Sequence, residues 1–184
     1  FFGTQPVNQA VSQVVREALR YFETGGAELV LLTEPLDSAW LTEHVSVHLD
    51  DFKTDLNHYL EQQGDAAPVH SLEDVLASGK YHPALQQHLL EAERREVGTP
   101  EYNRKRLLQD EIRQRVVKLM ADWQLDAIVY PHQQQLVCKI GAAQQQRNGV
   151  LCSVTGFPSI VVPAGFVPSE DAPIGVPVGM EIIG

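Results

Sequence analysis

The sequence predicts an α/β fold, a mixed β-sheet flanked by helices, and three of its stretches carry that expectation. Ile160, Val161 and Val162 form a β-branched apolar run between Gly156-Phe157-Pro158 and Pro163-Ala164-Gly165. Such a run reads as a strand at the centre of a sheet, buried on both faces and closed by turns. Further on, Val176, Val178, Met180 and Ile182 alternate with Pro177, Gly179, Glu181 and Ile183, and this period of two predicts a second strand able to pair antiparallel with the first. Upstream, Val11, Val14, Val15, Ala18, Leu19 and Phe22 fall at helical spacing and lead through Gly25-Gly26 to the apolar run 27–33. A helix that feeds a buried strand belongs to an α/β layer.

Taken in order, the first helix spans about 8–24, with Asn8 as N-cap and Gly25 as its stop. One long helix is expected over 38–63, because Leu41, Val45, Leu49, Phe52, Leu56, Tyr59 and Leu60 hold one face and Gly64 follows. Beyond the extended Ala67-Pro68, Ser71 and Asp74 make a capping-box-like start for a helix over 71–78, which Gly79 ends. Pro83 opens a helix over 83–96 that turns Leu85, Leu89 and Ala92 inward and sets Arg94 and Arg95 where cations suit the helix dipole. Thr99 then caps, and Pro100 opens, a helix over 99–124 with Leu108, Ile112, Val116, Leu119, Met120 and Trp123 as its buried stripe. Its charges fall at ordinary ion-pair spacings, Asp110 with Arg113 and Glu111 with Arg115, so that face is solvated. Strands at 27–33, 126–130, 159–163 and 176–183 complete a single domain, 1–184, whose middle, 38–124, is mainly helical. No internal repeat appears.

The words TGFPSIVVPAGF at 155–166 and VPVGMEIIG at 176–184 resemble the closing sheet of the amidase signature family, the Ser-Ser-Lys amide hydrolases. Asp126, Ile128, Val129 and Pro131 also match that family's words for an earlier strand. The resemblance implies an amidase-signature-like fold and a carbon–nitrogen hydrolase acting on a linear amide without metal or cofactor. Its closest words lie in the C-terminal third, and the middle helices are weakly specific.

A loop leaving the end of an α/β strand is where such sheets place ligand groups, which makes Tyr130, His132 and Gln133 candidates for a substrate pocket. The resemblance implies the same, since the family's loop after that proline lies over the substrate. It also matches Asn148 and Gly149 to the entry of a short helix near 150–154, whose N–H groups can face a polar ligand. The alternatives are surface side chains and a plain turn with Asn148 as N-cap. The loop itself departs from the family's Thr-rich pattern, reading His132-Gln133-Gln134-Gln135, and leaves the substrate unassigned.

A hydroxyl nucleophile needs an activating base, and the family supplies it in a Gly/Ser-rich stretch with two Ser and an upstream Lys. No such stretch, no G-x-S-x-G and no S-x-x-K occurs in these residues, so no catalytic residue is assigned. The chain reads as the C-terminal part of an amidase-like enzyme, supplying scaffold and part of the pocket, with the catalytic segment expected before Phe1. Its opening on Phe1-Phe2-Gly3 without Met and its end at Gly184 both look trimmed. The alternative is a free-standing binding or interaction domain derived from an amidase.

Composition narrows the remaining classes. A chain of 184 residues that is 43% hydrophobic can bury a sizeable core, and a formal net charge of −10 argues against a nucleic-acid partner. Cys138 and Cys152 lack any disulfide or zinc pattern, which points to a reducing, cytoplasmic setting. Neither an apolar run long enough to span a membrane nor a leader is present in these residues. His44 and His48 stand at i, i+4, but Val45 occupies the place of the Glu of an H-E-x-x-H motif, so no metal is assigned. A thiol–imidazole couple between His132 and either cysteine is the remaining nucleophile considered. The expected partners are a small-molecule amide in the parent enzyme and a second copy of the chain, paired through an exposed sheet or core-facing surface.

Overall fold

The computed structural model describes residues 1–33 and 36–184. In chain order the elements are α1 (Gln9–Thr24), α2 (Ser38–His44), α3 (His48–Gln63), α4 (Leu72–Ser78), α5 (Gln86–Arg94), α6 (Pro100–Asp122), β1 (Ile128–Pro131), α7 (Leu151–Thr155), β2 (Ser159–Ser169) and β3 (Ala172–Ile183). They form two compact units, 1–44 with 109–184 and 45–108. The α/β class holds, and the described strands pair antiparallel throughout.

In the first unit the strand order is β1-β3-β2. The two strands read from the sequence are present and longer than expected, joined by a tight turn at Glu170 and Asp171. Their placement is the reverse of the expectation: β3 is central, and β2 is an edge. Ile160 is accordingly 60% exposed, while Ile183 is fully buried. An edge also suits the prolines, because Pro163 and Pro168 have no N–H to give a further neighbour. Register shifts between Pro163 and Gly165 and between Val167 and Ser169 mark bulges in β2. Pro177 falls where β3 has β2 on one side and nothing from β1 on the other.

The helix α1 covers one face of this sheet. Val11 and Val15 are buried with Val178 and Met180, and Val129, Val162 and Ala164 pack around them. At Gly165 a Cβ would lie 3.0 Å from Val14 Cγ1, so the helix approaches β2 closely there. The opposite face carries the cross-strand row Tyr130–Glu181–Val161. The apolar run 27–33 forms no strand: its residues pair with nothing in a sheet, and Leu31 is 79% exposed. A strand needs a neighbour's ladder to satisfy its backbone, and hydrophobicity alone does not supply one. Asn8 is another correction. It precedes α1 without capping it, and its side chain turns away to the loop that follows β1. Residues 109–122 of α6 bury Ile112, Val116 and Leu119 as expected, whereas Trp123 lies past the helix end and is exposed.

The second unit shows why the helix expected over 38–63 is broken. Residues 45–47 are non-helical, and both Val45 and Val47 are buried. On one continuous helix these two would point about 200° apart, so only one could face a core. Here α3, α4 and α5 bury Leu72, Leu89 and Ala92 with Leu49, Phe52, Leu56, Val75, Leu76 and Tyr81. The caps are those read from the sequence. Ser71 Oγ accepts from Asp74 N at 3.0 Å, Asp74 Oδ2 accepts from His70 N at 2.9 Å, and Thr99 Oγ1 accepts from Tyr102 N at 3.1 Å. The His70 amide donated to the Asp74 carboxylate, with Ser71 beside it, holds its pKa below the usual value. A buried ion pair, Lys105 Nζ to Asp50 Oδ2 at 2.9 Å, closes the unit, with Arg95 3.7 Å from the other oxygen. Leu85 departs from its expected inward place and is exposed, in the turn before α5.

Ile183→Ala should cost about 2–5 kcal/mol of stability through the cavity it leaves in the sheet. Ile160→Ala should stay within about 1 kcal/mol, and denaturant unfolding of the two variants checks the difference. Asp50→Ala should cost about 3–5 kcal/mol, because it strands the buried Lys105 ammonium without its counter-charge.

Candidate functional site

The segment after β1 is tied down by backbone pairing. His132 N donates to Gly179 O at 3.1 Å, Asn148 N to His132 O at 3.0 Å, and Gln134 N to Gln146 O at 3.0 Å. Gln133 and Arg147 bridge between these bonds, so the two ends of the 132–148 loop lie side by side, next to the sheet. Asn148 fastens the arrangement. Fully buried, it donates Nδ2 to Phe1 O (2.6 Å) and Pro131 O (2.7 Å), and its Oδ1 accepts from Ser38 Oγ (3.0 Å) and Gln134 Nε2 (2.9 Å). Its amide is thus saturated by the protein. Asn8 makes a second bracket, donating to Gln134 O at 3.0 Å and to Gln146 Oε1 at 2.6 Å, with Oδ1 accepting from Gln5 N at 3.0 Å.

Four of the five candidates gather on the sheet face opposite α1. Tyr130 lies within β1, and His132 follows it on the same face. Gly149 lies against the His132 ring, where a Cβ would stand 2.5 Å from Cε1. Asn148 holds the chain between them. Gln133 sits in the bridge to Arg147, and its buried Oε1 has no hydrogen-bond partner among the described residues. None of the five lines the polar recess of about 200 Å³ beside them, which is formed by the N-terminal segment, the start of α2, Gln134 and Gln146.

Glu181 is the residue that the sequence reading missed. It is 1% exposed, yet its Oε2 lies 2.9 Å from His132 Nδ1. A carboxylate can only accept, so Nδ1 carries the proton and donates. The signal was an acidic side chain within a strand that otherwise alternates apolar and small residues. Tyr130 belongs to the same cluster. Its ring lies tilted against Phe1, centroids 4.5 Å apart, and its buried Oη has no hydrogen-bond partner of ordinary geometry among the described residues. Burial, reinforced by the Glu181 carboxylate, pushes the phenol well above its ordinary pKa.

The thiol–imidazole couple does not form. His132 Nδ1 is committed to Glu181, Cys138 Sγ donates to Ala142 O at 3.1 Å, and Cys152 Sγ lies 3.9 Å from Ser153 Oγ. Ser38 Oγ, a buried hydroxyl, is engaged with Asn148 and Gln134, neither of which is a base.

A helix-covered sheet with a tethered polar loop at the end of β1 defines an α/β protein. The chain belongs to the Amidase family, whose model matches residues 1–184. Among solved structures it is similar to native peptide amidase from Stenotrophomonas maltophilia, with 26% identity and a TM-score of 0.70 over 94% of this chain. The match covers 36% of that peptide amidase, so this chain spans about a third of its length. No curated protein matches. Among the described residues no helix is long and apolar enough to cross a membrane.

Gly149→Ala should push the His132 ring off Glu181 and cost about 1–3 kcal/mol through overpacking. A crystal structure together with a thermal melt checks both effects. Tyr130→Phe should change stability by less than about 1 kcal/mol at neutral pH, since Oη makes no hydrogen bond of ordinary geometry among the described residues. At alkaline pH the two should diverge. The folded-state phenol titrates above its unfolded value, so the native chain holds its stability below about pH 10 and loses it as pH rises further, a loss the Phe variant avoids.

Proposed function

We propose that this chain is the C-terminal part of an amidase-like carbon–nitrogen hydrolase acting on a small linear amide in the cytoplasm. It supplies scaffold and one wall of the substrate pocket, and the nucleophilic Ser and its Lys come from elsewhere in the parent enzyme. The observation that carries this reading is the pairing of a family match along the whole chain with a sequence that holds no Ser-Ser-Lys stretch. Tyr130, His132, Gln133, Asn148 and Gly149 form the pocket's share in this chain. The first two and Gly149 face the ligand, and Asn148 fixes the loop that carries them. No metal or cofactor takes part, and the partner is the amide rather than a nucleic acid or a membrane.

The exposed apolar positions fit the same reading. Leu31 on the unpaired run, and Ile160 and Phe166 along β2 with Ile174 on β3, are left uncovered. Such an edge and surface favour pairing with another chain, so the isolated chain forms a homodimer through this sheet.

The purified chain should not turn over aryl amides, because enzymatic accelerations of roughly 10⁶-fold or more require an activated nucleophile. Co-expression with a Ser-Ser-Lys segment of the same family should restore turnover, and His132→Ala should weaken it. Hydrolysis by the isolated chain that disappears on mutating one of its own residues would contradict the proposal.

A further inference from the structure

His132 and Glu181 do more together than a buried charge with a neighbour. Glu181 lies almost wholly out of solvent near the C-terminal end of the central strand, in the row that includes Tyr130 and Val161. Such a carboxylate is costly unless it is paired, and its bond runs to the ring of His132, whose side chain is 37% exposed. With Nδ1 donating to Oε2 at 2.9 Å, the neutral ring keeps its lone pair on Nε2. The absent side chain of Gly149 leaves room for the ring in that orientation, since a Cβ there would stand 2.5 Å from Cε1. Beside the same carboxylate, the Tyr130 hydroxyl is buried without a hydrogen-bond partner of ordinary geometry among the described residues.

We propose that Glu181 is a positioning residue that holds His132 as its Nδ1–H tautomer, so that Nε2 accepts an N–H from the –NH₂ of a primary carboxamide ligand. The choice of ligand rests on the amidase reading above; the tautomer and its orientation rest on geometry alone. Specificity follows from hydrogen-bond polarity. A fixed acceptor takes the N–H of an amide and finds no donor on a carboxylate, so the site binds benzamide and not benzoate.

The test is ¹⁵N NMR of the His132 ring in its neutral form, with benzamide and benzoate as probes. The expected spectrum shows Nδ1 protonated and Nε2 bare, with benzamide moving the Nε2 resonance and benzoate leaving it in place. Glu181→Ala should shift the ring toward the Nε2–H tautomer and weaken benzamide binding about tenfold, as loss of an oriented hydrogen bond predicts. Should that variant fail to fold, the isosteric Glu181→Gln keeps the volume and lowers the Nδ1–H fraction instead. An Nε2–H ring in the native chain, a Glu181→Gln or Glu181→Ala spectrum identical to it, or equal response to benzoate overturns the proposal. Failure of the amidase reading is read separately, as absent turnover by the parent enzyme with the ring tautomer unchanged.

Discussion

The Asn148 side chain is the constraint on which the site unit depends. One buried amide uses both donors and its oxygen on four groups far apart in sequence, Phe1, Pro131, Ser38 and Gln134. Each bond replaces water lost on burial, and a single missing partner would leave an unsatisfied polar group costing about 1–3 kcal/mol. The end of β1, the start of α2 and the N-terminal segment therefore settle together or not at all. Asn8 repeats the device on the other side of the loop.

That bracket explains how a loop rich in glutamine presents an ordered site. Glutamine side chains carry much rotamer entropy, and ordering them costs free energy unless bonds repay it. Gln134 and Gln146 are ordered because two buried asparagines engage them, and Gln144 because it closes on the backbone of Cys138 and Leu136. Further out, Ile140 at the tip is fully exposed. The ordered base of the loop is thus the part that holds His132 over Glu181.

Local signals in the sequence were read well where the physics is local. Ser71 with Asp74, Thr99 and Gly79 set helix ends by bonds spanning one turn, so the residues themselves suffice. The hairpin was legible because alternation and turn residues coincide. Three features needed the fold. Which strand is central depends on what pairs outside the hairpin, so Ile160 read as core and proved an edge. The break at 45–47 reflects two valines seeking burial in tertiary context, and periodicity through Leu41 and Leu49 hid it. Asn8 looked like a cap because caps are asparagine's commonest local use, yet the acceptors of its Nδ2 lie more than a hundred residues away. In the candidate site, the closeness of Tyr130, His132 and Gly149 follows from their places at the end of a strand and before a short helix. Glu181 was not legible, since nothing local distinguishes a strand carboxylate facing solvent from one facing a histidine.

The central claim is that the site is preformed by these buried polar bonds, before any ligand binds. Amide hydrogen exchange of the unliganded chain tests it most directly. The Asn148 and Gln134 amides, bonded to His132 O and Gln146 O, should exchange as slowly as those pairing β3 with β2. Exchange at the rate of an open loop, while the β3 amides stay protected, would contradict the account.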